Sequence, residues 1–121
     1  MIREVKPEEV ETLLQLAKKD GVTFSTGVIF AYTESGIIKG IASICYSTTP
    51  KIKTQYTLPD YRGKGVGMKL LRYLIFRLKE QGYKTVKANC KPMSVNLHLA
   101  LGGIAEKKYD NGITLIKHNL Q

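Results

Sequence analysis

Apolar residues recur along this 121-residue chain with two periods, and the switches between them mark out its elements. Over residues 66–81, Leu70, Leu71, Leu74, Ile75 and Leu78 fall on one face of a helix, with Lys69, Arg72, Lys79 and Glu80 largely on the other. Gly82 follows as its stop signal. A shorter helix opens at Pro7-Glu8-Glu9, where proline is tolerated and acids complement the helix dipole; it gathers Val10, Leu13, Leu14 and Ala17 on one side and ends at Asp20-Gly21. A third helix is expected over 94–101, closed by Gly102-Gly103. Strand-like runs cover residues 2–5, 28–33, 37–46, 52–57, 84–89, 104–109 and 113–117. Glu34-Ser35-Gly36 and Asp110-Asn111-Gly112 are hairpin signals between two pairs of these runs.

The order of elements constrains their pairing. Consecutive hairpins make the first half antiparallel, whereas the strand at 52–57, the long helix and the strand at 84–89 form a crossover connection. Those two strands are therefore expected to be parallel and adjacent. The expected fold is an α/β (α+β) mixed sheet, mostly antiparallel, with one parallel central pair. A chain of this length has room for a single core, so residues 1–121 are expected to form one domain.

Composition excludes several classes. No run approaches the roughly 18 apolar residues of a membrane span, and Met1-Ile2-Arg3-Glu4 opens no secretory signal, so a cytoplasmic protein without a membrane partner is expected. Cys45 and Cys90 match no metal spacing and are too few for a disulfide framework; they read as small core residues, and no metal site is expected. The net charge of +9 fits either a polyanion or an anionic cofactor. Basic residues are spread along the chain without interleaved aromatics, which disfavours nucleic acid as the partner. Several of them, Lys51, Lys53, Lys69 and Arg72 among them, flank the most informative stretch of the sequence.

That stretch is Arg62-Gly63-Lys64-Gly65-Val66-Gly67, between a strand and the long helix. Its glycines let backbone approach a ligand closely, the helix start presents unpaired N–H groups, and Arg62 and Lys64 add formal charge beside them. A phosphate or pyrophosphate is the expected guest. A phosphate loop of the Walker type requires Ser or Thr after Gly-Lys, yet Gly65 follows Lys64; a dinucleotide fingerprint would put its third glycine at position 68, which is Met.

The remaining pattern, Arg-x-x-Gly-x-Gly, resembles the pyrophosphate loop of the GNAT superfamily of acyl-CoA N-acyltransferases. The likeness runs through Leu58-Pro59-Asp60-Tyr61-Arg62-Gly63-Lys64-Gly65-Val66-Gly67 and Lys69-Leu70-Leu71; it is sharpest over 54–75 and weakest before residue 50. The resemblance implies a sheet whose fourth and fifth strands splay apart for the pantetheine arm of acetyl-CoA. It implies an N-acetyltransferase that passes the acetyl group to a primary amine within a ternary complex. By position, the cofactor contacts it implies are Gln55, Tyr56, Thr57 and Leu58 on the strand, then Arg62, Gly63, Lys64, Gly65, Val66 and Gly67 in the loop.

A second segment, Ser94-Val95-Asn96-Leu97-His98-Leu99-Ala100-Leu101-Gly102, resembles a family variant with His where Tyr usually protonates the departing thiolate. His98 is then either that proton donor or a histidine with a structural hydrogen bond. Lys91 stands where the family has Asn, leaving Asn89 and Asn96 as substitutes for the cofactor contact, and Gly103 replaces an aromatic residue. No carboxylate occurs in 52–57; Glu34 reads as a solvated turn residue and Asp60 as an organiser of the loop. A water relayed by Thr54 or Tyr56, or an amine that arrives neutral, would then replace a dedicated base. The resemblance also implies two helices between the first two strands, but one is readable here, with 21–27 as a short connection. The acceptor pocket is accordingly expected to be open or completed by a second subunit, and a homodimer paired through a sheet edge is one expectation. A catalytically idle acyl-CoA-binding module is the alternative reading.

Overall fold

The computed structural model describes residues 1–24 and 27–120; Ser25 and Thr26, in the connection read at 21–27, lie outside the described residues, as does Gln121. In chain order the elements are β1 (Ile2–Glu4), α1 (Pro7–Lys19), β2 (Val28–Glu34), β3 (Ile37–Cys45), β4 (Lys51–Thr57), a 3-10 turn (Pro59–Tyr61), α2 (Val66–Glu80), β5 (Thr85–Cys90), α3 (Pro92–Ala100), β6 (Ile104–Lys108) and β7 (Thr114–Asn119). Every element expected from periodicity is present, with ends shifted by a residue or two. The start of α3 moves back to Pro92 because proline at the first helical position lacks an N–H that would go unpaired anyway.

The three helices stop by one mechanism. In each, the chain turns at a glycine and the next amide reaches back to a carbonyl of the last turn: Val22 to Ala17 at 2.9 Å, Tyr83 to Leu78 at 3.2 Å and Gly103 to His98 at 2.9 Å. These bonds satisfy carbonyls that the helix ends would otherwise leave open.

Seven strands form one sheet in the order β1-β2-β3-β4-β5-β7-β6. All neighbours are antiparallel except β4 and β5, which run parallel as the crossover through α2 requires. Their parallel register comprises just Lys51 opposite Lys87 and Ile52 opposite Ala88, after which β4 and β5 part.

Pairing of β3 with β4 also slips where they diverge. Ser43 faces Thr54 while the next residue, Ile44, faces Ile52, so Lys53 is an extra residue in a β-bulge. The bulge resets the alternation of β4. Ile52 packs into the cluster under α2, whereas Tyr56, four residues on, packs into the cluster under α1.

The larger cluster lies on the face covered by α2 and α3, where Leu70, Leu71, Leu74 and Leu78 meet Phe30, Ile44, Val86 and Ile116. Each such leucine contributes about 2 kcal/mol by leaving water. On the opposite face Leu13 and Ala17 of α1 cover Ala31, Ile41 and Tyr56. That cover does not extend to β5 and β7: Lys87 alternates with the buried Val86 and Ala88 and pairs with Glu106 at 3.1 Å. The sheet is thus packed on both faces near β3 and solvated on one near β5, with the parting of β4 and β5 between the two regions.

Candidate active site

A cleft passes through the sheet where β4 and β5 part. Lys53, Thr54, Gln55, Asn89, Met93 and Ser94 line both of its chambers. The chamber on the α2 and α3 side, about 240 Å³, reaches Thr57, Gly67, Cys90, Leu97 and His98. The chamber on the α1 side, about 280 Å³, is walled by Val22, Thr23 and Lys91. The bulge at Lys53 orients the strand across them: the Gln55 side chain donates from Nε2 to the carbonyl of Gly67 at 3.5 Å, tying β4 to the first turn of α2.

At the end of the first chamber the loop enters α2 through Gly65, whose φ of 78° is left-handed and strained for any residue with a Cβ. No side chain among the described residues caps this helix, and the first helical bond runs from the Lys69 amide to the Gly65 carbonyl at 3.0 Å. The amides of Val66, Gly67 and Met68 are therefore the open N–H groups of α2. A Cβ on Gly63 or Gly65 would meet no atom within 4 Å, so the space beside both glycines is open. By contrast α1 is closed at its start, where the Lys6 amide donates to Glu9 Oε1 at 2.9 Å.

Arg62 is engaged within the protein. Its Nε donates to the Thr57 carbonyl at 3.0 Å and its Nη2 to Asp20 Oδ2 at 2.9 Å. Asp20, the C-cap of α1, also accepts from the Tyr56 hydroxyl at 2.6 Å. The hydrogen bonds from Tyr56 and then Arg62 hold the Asp20 carboxyl below its usual range, while burial and then Asp20 push the Tyr56 phenol up. This network fastens the loop to β4 and α1. It turns the Tyr56 side chain away from the cleft, with its backbone still on the β4 edge. Leu58 packs half-buried against the α1 cluster, and Lys64 is exposed in the loop.

His98 is 2% exposed, and its Nδ1 lies 2.9 Å from Nε2 of His118 on β7. Burial, then the proximity of His118, brings His98 down to about 4; burial also lowers His118. Both rings are neutral at pH 7, and one ring's N–H donates to the other's lone pair. Among the described residues, the fully buried side-chain N and O atoms lacking a partner are Ser43 Oγ and Arg77 Nε. With Nδ1 engaged by His118, Nε2 is the ring nitrogen of His98 left for the chamber that His98 lines. His118 was not singled out from sequence. The signal was there in its alternation with Thr114 and Ile116 on the buried face of β7.

The glycine that replaces the family's aromatic residue has a steric cause. A Cβ on Gly103 would lie 2.6 Å from Ile116 Cγ2 and 2.8 Å from His118 Cε1. His118 fills that space. Asn89 lies at the cleft edge, whereas Asn96 sits on the exposed face of α3 outside the residues lining either chamber. Both cysteines are free; burial pushes the Cys90 thiol up to about 11, so it is protonated at neutral pH. Glu34 ends β2 rather than standing free in the turn: it accepts from the Tyr32 hydroxyl at 2.8 Å and pairs with Lys39 and Lys69 at 3.6 Å. No carboxylate among the described residues lines either chamber.

Comparison with known proteins agrees with this geometry. Residues 2–121 match the family described as the acetyltransferase (GNAT) domain. No curated protein matches the sequence. An N-acetyltransferase from Staphylococcus aureus Mu50 superposes with a TM-score of 0.73 at 20% identity, over 100% of this chain and 98% of that one. YncA from Salmonella typhimurium, solved with its cofactor acetyl-CoA, gives 0.74 at 18% identity over 100% and 94%. The PaiA N-acetyltransferase of Thermoplasma acidophilum, in complex with coenzyme A, gives 0.77 at 14% identity over 98% of each chain. At these identities the likeness is one of fold.

Proposed function

Since the chain belongs to the GNAT acetyltransferase family, we propose that it is an acetyl-CoA-dependent N-acetyltransferase that transfers the acetyl group directly to a primary amine. The observation that carries this reading is the parting of β4 from β5 beside the uncapped start of α2. The residues present fit the cofactor. The open amides of Val66, Gly67 and Met68, with Lys64 beside them, suit a pyrophosphate, and the space above Gly63 and Gly65 admits it. The unpaired edge of β4 from Gln55 to Leu58 suits an extended arm, with Asn89 adding a side-chain amide at the cleft edge.

Bound acetyl-CoA supplies a thioester: the amine nitrogen bonds to the acetyl carbon, the carbon–sulfur bond breaks, the nitrogen loses a proton and the sulfur gains one. His98 serves this as a neutral hydrogen-bond donor to the departing sulfur, since an imidazolium brought down to about 4 is scarce at pH 7. When the His118 Nε2–H donates to His98 Nδ1, the His98 proton sits on Nε2, the ring nitrogen left for the chamber. Because no carboxylate among the described residues lines the chambers, the amine arrives neutral or gives its proton to water near Thr54. The protonated Cys90 thiol favours direct transfer over an acyl-enzyme.

The test is amine-dependent release of CoA thiol, measured with calorimetric cofactor binding. Wild type should release thiol only when an amine is supplied, and His98→Gln should lower kcat about 10- to 100-fold at nearly unchanged acetyl-CoA affinity. Tight binding with no amine-dependent release would instead establish an idle acyl-CoA-binding module.

A further inference from the structure

The chamber on the α1 side carries charge of one sign. Lys53, at the bulge of β4, and Lys91, at the start of α3, both line it, and no acidic residue among the described ones does. Neither lysine belongs to an ion pair among the described residues, whereas Lys39, Lys69 and Lys87 are all paired with glutamates. Lys91 lines this chamber and not the one leading to the α2 loop, so its charge faces the side from which an acceptor must come. The remaining polar groups, Thr23, Thr54, Gln55, Asn89 and Ser94, are neutral donors and acceptors. A polyamine entering here would bring like charge against two uncompensated ammonium groups.

We infer that the acceptor is an amine that carries its own carboxylate close by, as in a free amino acid or at the start of an acidic peptide. The inference rests on the acetyltransferase reading and adds the acceptor's chemical class. Lys53 and Lys91 hold the carboxylate at the mouth, and their charge also disfavours the ammonium form of the neighbouring amine. The chamber thereby replaces a general base with two cations: the ammonium loses one proton to solvent before attacking the thioester carbon, and the proton shed by the nitrogen after attack leaves with the sulfur. A specificity element and the absence of a catalytic carboxylate thus have one cause.

The experiment uses matched acceptors with the intact protein and acetyl-CoA. Free amino acids are each paired with their α-carboxamides, tetrapeptides beginning Glu-Glu are paired with ones beginning Lys-Lys, and spermidine is included. The carboxamide amine deprotonates more readily than that of the acid, so intrinsic reactivity works against the expected result. The acid of each pair should be the better substrate in kcat/KM, and the free and peptide arms identify which source is preferred. Lys53→Gln and Lys91→Gln, both at exposed positions, should each raise KM for the acid about fivefold and leave KM for the amide unchanged. The Lys53→Glu, Lys91→Glu double variant should prefer spermidine and the Lys-Lys peptide. As a readout independent of turnover, backbone amide signals of Lys53, Lys91 and Ser94 in the CoA-loaded protein should shift with the acid and not with the amide. Amides or spermidine used as well as acids, or no shift with any acid, would overturn the acceptor class while leaving cofactor binding intact. Failure to bind acetyl-CoA at all would overturn the proposed function itself.

Discussion

His98 and His118 differ from surface histidines because both rings are buried, and the cost of charging either has a measurable consequence. The folded-state value of His98 is about 4, below the 6.5 of an unfolded chain. Between those values the unfolded chain binds a proton that the folded one refuses, so unfolding becomes easier as pH falls through that window. His118 is lowered by burial and acts in the same direction. The carboxyls held low by partners, Glu9, Asp20 and Glu34, begin to lose their contributions only as pH falls into the ordinary carboxylate range, leaving the upper part of the window to the histidines. Lowering the pH from 6.5 to about 5 should reduce stability by about 2 kcal/mol, read from urea midpoints. A midpoint that holds steady over that range contradicts a buried neutral pair.

At the scale of elements, the junction of α3 with β6 and β7 sets the geometry of the histidine pair. The turn at Gly102-Gly103 ends α3 on the His98 carbonyl and runs directly over Ile116 and His118. Gly103→Ala therefore forces a methyl group into space already filled. It should cost about 1–3 kcal/mol in unfolding free energy and displace the His118 ring signals in NMR spectra. A variant of wild-type stability with unmoved imidazole signals would show that β7 does not brace α3 in this way. The elements themselves were legible in sequence because Leu70, Leu71, Leu74 and Leu78 repeat at helical spacing, and Ser35-Gly36 and Asn111-Gly112 mark turns. The bulge was not, since one inserted residue at Lys53 changes no composition and shows only when β3 is laid against β4. Arg62 read as a charge for the ligand because its loop is glycine-rich; its bond to Asp20 depends on α1 ending 42 positions upstream. The His98–His118 contact likewise spans 20 residues that no local pattern links.

For the whole molecule, the sheet gives up regular pairing between β4 and β5, and the groups proposed to act gather around that opening: free amides at α2, the His98 ring, and the uncompensated charges of Lys53 and Lys91. The strand order explains the opening, because a parallel neighbour reached through a long helix need pair only at its start, while β3 and β7 secure β4 and β5 from their outer sides. The lack of α1 cover over β5 and β7 leaves the acceptor side accessible. The central claim is that acetyl-CoA occupies this opening with its pyrophosphate on the α2 amides. Calorimetric titration of acetyl-CoA into wild type and Gly65→Val tests it most directly, since a Cβ at position 65 would point into open space while the φ of 78° disfavours a β-branched residue. Saturable binding to wild type, weakened at least about tenfold in the variant, is the predicted result. Equal affinity in the two proteins, or no binding to wild type at millimolar acetyl-CoA, would contradict the account.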